Sequence, residues 1–148
     1  MPAQASNWNA LVSDTYADLG SYQSQSGGLM CEWASNQNCE SGFSWEATRW
    51  PWRIATDSVW SGDSAPEQML QTLSNYIDDQ GGITALQYNP NSAFDGGLAL
   101  SGVVRDEATF DNCVAGWLSM ATDDNAFYQA TVKVLFMQLA SGQMQNPF

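Results

Sequence analysis

The chain has 148 residues, one domain's worth of sequence, and its apolar fraction of 44% with 12% aromatics is enough to bury a core, so a charged fraction of only 14% does not signal disorder. Arg49, Arg53, Arg105 and Lys133 are the only cations against 16 Asp and Glu, and the resulting charge of −12 argues against nucleic acid and anionic membranes as partners while leaving neutral polymers acceptable. No window approaches the roughly 18 apolar residues of a bilayer span, and with no histidine and no Cys-x-x-Cys pair neither a metal site nor any other cofactor is expected.

Helical periodicity organises most of the chain. Trp8, Leu11, Val12 and Leu19 predict an amphipathic first helix, followed over residues 21–28 by a Ser/Gln/Gly stretch that reads as a loop. A second helix is expected near Glu46, with Pro51 either kinking it or placing its regular part from Trp50 onward, because proline removes an amide donor. In the third, Ser64 and Glu67 form a capping-box pattern with Pro66 in the first turn. Met69, Leu70, Leu73 and Ile77 share one face of it, and Gly81-Gly82 should stop it.

Residues 94–104 carry Phe94, Leu98 and Val103, and residues 106–121 carry Phe110, Val114 and Trp117, each near helical spacing. Asp123 or Asp124 should cap a last helix with Tyr128, Val132, Leu135 and Leu139 on one face, ending at Ser141-Gly142. No strand-like alternation of useful length remains. The class is therefore all-α, a single domain over residues 1–148, and its hairpins could build a bundle, a solenoid or a sector of an α/α toroid.

Three cysteines are an odd count. Cys31 and Cys39 bracket a short polar loop and are expected to form a disulfide, leaving Cys113 as a buried apolar filler.

The stretch Trp45-Glu46-Ala47-Thr48-Arg49-Trp50-Pro51-Trp52-Arg53-Ile54-Ala55-Thr56-Asp57 resembles the signature of glycoside hydrolase family 8, in which an aromatic and an acidic residue precede Ala-x-Arg-x-Pro-Trp-Arg-x-x-x-Asp. Gly28-Leu29-Met30-Cys31-Glu32-Trp33 is similar to the family's Gly-Leu-x-Pro-Asp-Trp, and residues 127–142 to its closing Tyr-Tyr-x-x-Ser-Leu helix. The resemblance implies an (α/α)6 barrel more than twice this length, of which this chain would be the C-terminal half, related to secreted inverting endo-β-1,4-glucanases. The family's Ser-Glu-Gly segment with the general acid and its Asp-x-Asp segment occur nowhere in this sequence. Met1-Pro2-Ala3 has no signal-peptide character, so a longer precursor or a separate N-terminal half chain is expected as a partner, beside a β-glucan-type polysaccharide.

By the same resemblance Glu46 stands at the general base, which is more often Asp in the family. Arg49, one helical turn later, would hold that carboxylate ionised and aimed; an ordinary helix ion pair is the plainer alternative. Arg53 and Asp57 read as a supporting ion pair. Glu32 reads as either a helix cap or a support, Trp45 as a sugar platform, and Tyr128 as a site residue or a packing one. A non-catalytic binding or structural module is the competing reading. A half-toroid would also leave apolar hairpin edges of the Met69/Leu73/Ile77 or Val132/Leu135/Leu139 kind, so a homo-oligomer or filament is expected.

Overall fold

A computed structural model describes the backbone of residues 2–35, 38–40, 42–86, 92–120 and 126–146, and the side chains of all of these except 2–6 and 92. These residues are mostly helical and form two compact units, Met1–Ala47 and Thr48–Phe148.

In the first unit α1 spans Pro2–Gln25, running through most of the segment expected to be a loop. Its last turn is held from outside the helix: Gln23 Nε2 donates to the Gly28 carbonyl at 2.9 Å, and the Gln25 side-chain oxygen accepts the Cys39 amide at 3.2 Å. These tertiary bonds outweigh the poor helix preference of the serines. Gly27 and Gly28, at φ of 68° and 114°, end the run with a conformation that other residues avoid. A small antiparallel hairpin follows, β1 (Ala34–Ser35) pairing with β2 (Asn38–Cys39), and the Cys31–Cys39 disulfide closes it across a Cα separation of 5.6 Å. Of the predicted α1 stripe Trp8, Leu11 and Val12 are exposed and Leu19 is half-buried. Among the described residues, the unit's buried ones, Gln23, Gly28, Leu29, Met30, Cys31 and Ala47, all lie at or beyond the helix's final turn.

In the second unit α2 is Arg49–Ser61, after a turn over residues 45–48. Glu46 thus precedes the helix instead of starting it. Pro51 falls in the first turn, whose amides have no intrahelical acceptor, so the helix does not need to break there. Gly62, at φ 68°, caps α2 by donating to the Ser58 carbonyl, and α3 (Ser64–Asp79) follows immediately. Asp63 takes the N-cap position without a side-chain bond, so Ser64 lies inside the helix and the predicted capping box does not form. The α3 stop is as expected, with the Gly82 amide reaching back to the Ile77 carbonyl at 2.9 Å.

A short 3-10 turn at Ile83–Ala85 leads on toward α4 (Ser92–Ala99), which tightens into a second 3-10 helix at Leu100–Val104. Then come α5 (Glu107–Ser119) and α6 (Phe127–Ala140). The Asp123 and Asp124 caps lie outside the described residues. Cys113 on α5 is free but only half-buried, so it is less of a core filler than expected; burial, then the nearby Asp78 charge, push its thiol pKa up, against an opposing pull from Arg105.

Helix α4 is the unit's centre, packed by α2, α5, α6 and the second 3-10 helix, and every residue from Ala93 to Leu100 is buried. Trp117 of α5 meets Phe136 of α6 edge-on at 6.0 Å between ring centres, and Trp52 of α2 meets the same ring at 6.4 Å. Beneath them Gly96 has no room to spare: a Cβ there would lie 2.6 Å from both Phe136 and Trp117. Met69, Leu73, Ile77, Val132 and Leu139 are all turned into this core, with Leu135 half-buried. The apolar edges expected on those faces are therefore filled from within the chain.

Gly96→Ala should lower unfolding free energy by about 2–3 kcal/mol through overpacking against two rings. Gly20→Ala, in the α1 interior with nothing within 4 Å, should be neutral or stabilising by up to ~1 kcal/mol. Urea melts of the two variants decide this.

The Asp106 carboxylate caps α5, accepting the Thr109 amide at 3.0 Å and its hydroxyl at 2.9 Å, and these bonds hold its pKa below the usual value. A carboxylate with a depressed folded pKa stabilises above its unfolded pKa, and that stability is lost as pH falls through the folded one. Asp106→Asn should retain the cap acceptor yet flatten this acid-side dependence of Tm, whereas Asp106→Ala should lower Tm at neutral pH and lose less of it in acid.

Candidate functional site

The sequence-predicted residues fall in both units. Trp45, Glu46 and Glu32 belong to the first, Arg49 and Tyr128 to the second. Within the first unit the structure brings two motif segments together: the Glu32 carboxylate accepts the Glu46 amide at 3.2 Å, and the Glu32 amide donates to the Gly42 carbonyl at 3.1 Å. The helix-capping role considered for Glu32 does not apply, since it precedes a hairpin and caps the turn that carries Glu46. Using the backbone amide leaves the two carboxylates with a bond between their segments that adds no charge pair.

That bond also places the neighbours. Trp33 follows Glu32 and Trp45 precedes Glu46, and both indoles are open to solvent, 60% and 44% exposed. Tryptophan is costly to leave in water, and an exposed indole is the kind of surface on which a flat ligand can stack. Glu40 donates its amide to the Trp33 carbonyl at 3.0 Å and its side chain accepts the Ser35 hydroxyl, so the hairpin base is fixed by these bonds as well. The Cys39 sulfur lies 3.1 Å from the Ser26 hydroxyl, tying the crosslink to the end of α1.

In the second unit Arg49 is exposed at the first position of α2, and Tyr128 lies in the first turn of α6, 45% exposed, one turn before the buried Val132. Arg53 lies over the Trp52 indole, 5.6 Å from the ring centre, a cation–π contact that the reading of Arg53 as an ion-pair partner did not include. Trp50, Trp52 and Trp60 are half-buried along α2, and Trp60 donates to the Met144 carbonyl at 3.3 Å, so these three pack more than they present.

Sequence reasoning missed Asp95, an acid with no exposed surface in the middle of α4, and Ser101, equally buried one element later. A helical apolar pattern flags such a residue only as an interruption, Phe94-Asp95 within an otherwise small and apolar run. Arg105 was also passed over; it donates to Asp78 at 2.9 Å and to Ser74 at 3.1 Å, pinning the end of the second 3-10 helix to α3. An open depression of about 330 Å³ beside it is lined by Val59, Glu67, Val103 and Arg105, and none of the predicted site residues reaches it. Among the described residues no three His, Cys, Asp or Glu side chains group as metal ligands, and no helix is long and apolar enough to cross a membrane.

Removing the disulfide (Cys31→Ala with Cys39→Ala) should destabilise the first unit by about 2–3 kcal/mol by loop entropy. Hydrogen exchange should then accelerate over residues 28–46 and stay unchanged in α3 and α5. Glu32→Ala should speed exchange at the Glu46 amide specifically, while Glu32→Gln, which retains an acceptor, should not.

No family model, curated protein or solved structure matches the chain.

Proposed function

We propose that the chain is the water-activating half of an extracellular glycosidase of the family 8 kind, acting on β-glucan. Its helical hairpins would form a sector of an (α/α)6 barrel, and the general acid would come from a separate N-terminal half. The observation that supports this reading is the Glu32–Glu46 bond, which joins two motif segments, each with an exposed tryptophan next to its glutamate in sequence.

An inverting reaction needs carboxyl groups about 6.5–9.5 Å apart, with a water between the second of them and the sugar. Glu46 would take a proton from that water as its oxygen bonds to the anomeric carbon. The acid on the other half would give its proton to the leaving oxygen as the glycosidic bond breaks. Trp45 would stack on a pyranose face and Glu32 would position the turn that carries Glu46, while Arg49 and Tyr128 take their roles, ion pairing and sugar contact, from the resemblance alone. Glutamate in place of the more usual aspartate sets the carboxylate one methylene farther out, so the water would sit farther from the Glu46 backbone. One carboxylate alone does not complete this reaction. The isolated chain should bind glucan and turn it over slowly or not at all.

A second reading, a carbohydrate-binding module without turnover, is favoured by the exposure of Trp33 together with Trp45. The disulfide fits an extracellular setting for either.

Hydrolysis of soluble cellulose or lichenan and retention on insoluble glucan are measured in parallel. Retention that falls roughly tenfold in Trp45→Ala or Trp33→Ala is expected, the size of one lost stacking contact. Adding a chain that carries the acid-bearing half should produce turnover that drops about 10²–10⁴-fold in Glu46→Gln. Turnover that survives Glu46→Gln would remove Glu46 as base, and retention without turnover under both conditions would leave the module. Absence of both would sink the glycan assignment altogether.

A further inference from the structure

Two helices of this chain carry apolar stripes that the fold leaves in solvent. On α1 Trp8, Leu11 and Val12 are exposed, with Trp8 at 66%, and Thr15 continues the same stripe. On α6 the face opposite the buried Val132, Phe136 and Leu139 presents Phe127, 85% exposed, with Thr131, Val134 and Met137. Neither stripe is the one expected to be an unpaired edge, and each extends over several helical turns, longer than isolated exposed residues warrant.

The charges beside the stripes differ in sign. Helix α1 contains no base and has Asp14 and Asp18 on the Leu11 side of its stripe. Helix α6 contains no acid and has Lys133 on the Met137 side. Asp14 comes six residues after Trp8, and Lys133 comes six residues after Phe127. The charges therefore flank their stripes on the same side, and two such flanks coincide when the helices pack antiparallel.

We propose that the outer face of α6 docks α1 of a second copy, antiparallel, with Val134 and Met137 against Leu11 and Val12 and with Lys133 beside Asp14. Charge selects this pairing. An α1–α1 contact would oppose acids and an α6–α6 contact would oppose lysines, and each would add to the repulsion of two chains of charge −12. The contact joins unlike surfaces, so it closes as a reciprocal dimer or propagates as a filament. It is independent of the glycosidase reading, because none of the proposed catalytic residues takes part.

Sedimentation velocity on the full chain at micromolar concentrations tests it with Leu11→Glu, Val134→Glu and an equimolar mixture of the two. All four positions at the contact centre are at the surface, and far-UV CD checks that each variant retains its helix content. The wild type should associate, and each variant alone should show a dissociation constant raised roughly tenfold or more. The mixture should recover association, since one copy still offers an intact α6 and the other an intact α1. Should a glutamate variant misfold, Lys133→Glu should weaken association alone and recover it when combined with Asp14→Lys. A monomeric wild type would overturn self-association, including the case where α1 folds onto α6 of its own chain. Association that ignores both substitutions, or a mixture no stronger than either variant alone, would overturn this pairing while leaving an oligomer.

Discussion

The second unit depends on one close approach, that of the α4 backbone at Gly96 to the Phe136 and Trp117 rings. Two aromatic side chains from the last two helices converge edge-on over a position with no side chain, and Trp52 reaches the same phenyl ring from α2. Three helices are thereby fixed against a fourth through a single ring. The arrangement explains why a short, glycine-containing helix can be central: what it lacks in side-chain volume its neighbours supply in aromatic area. Beyond Ala99 α4 tightens into a 3-10 turn, where a Cβ added at Gly102 would lie 3.3 Å from Phe110 and 3.6 Å from Cys113 of α5, a second close approach.

The first unit is built by different means. Its buried set is small, and a crosslink, a two-residue hairpin and three side-chain-to-backbone bonds replace the missing core. This is how short segments with little apolar volume hold a shape. The consequence for chemistry is that Trp33, Trp45 and Glu46 stand on a scaffold whose stiffness comes from polar contacts and one covalent bond. A site of that kind is sensitive to reduction and to loss of single acceptors in a way that a site on packed helices is not.

Where apolar periodicity coincided with a packed face, the sequence was legible. The α3 stripe, its glycine stop and the Cys31–Cys39 pair are found where the pattern places them. Local capping was less legible, because Ser64 and Asp63 are equally good candidates and one residue of register decides which is used. Helix α1 shows the deeper limit. Periodicity reports that a face is apolar and not whether anything covers it, so Trp8 and Leu11 look the same in sequence as Met69 and Leu73. For the site, the motif pointed to the Glu46 segment, but no periodic signal announces a carboxylate that accepts an amide from fourteen residues away. Phe136 was missed for a related reason: it sits between Leu135 and Leu139, and an i, i+4, i+7 template drawn from Tyr128 selects its neighbours.

The distribution of charge connects the two units' surfaces to what they can meet. Of the four cations, Arg105 pairs with Asp78 and Arg53 lies over an indole, while Arg49 is exposed at the start of α2 and Lys133 flanks the exposed stripe of α6. On a chain of charge −12, contacts with another copy are repelled at most places and least repelled where acids are absent. Helix α6 is such a place. The proposed polysaccharide contact is uncharged and would be governed instead by where flat indoles reach the surface, as Trp33 and Trp45 do. The two proposed partners would thus be selected by different forces, charge and apolar area for a second copy and stacking area for a glycan.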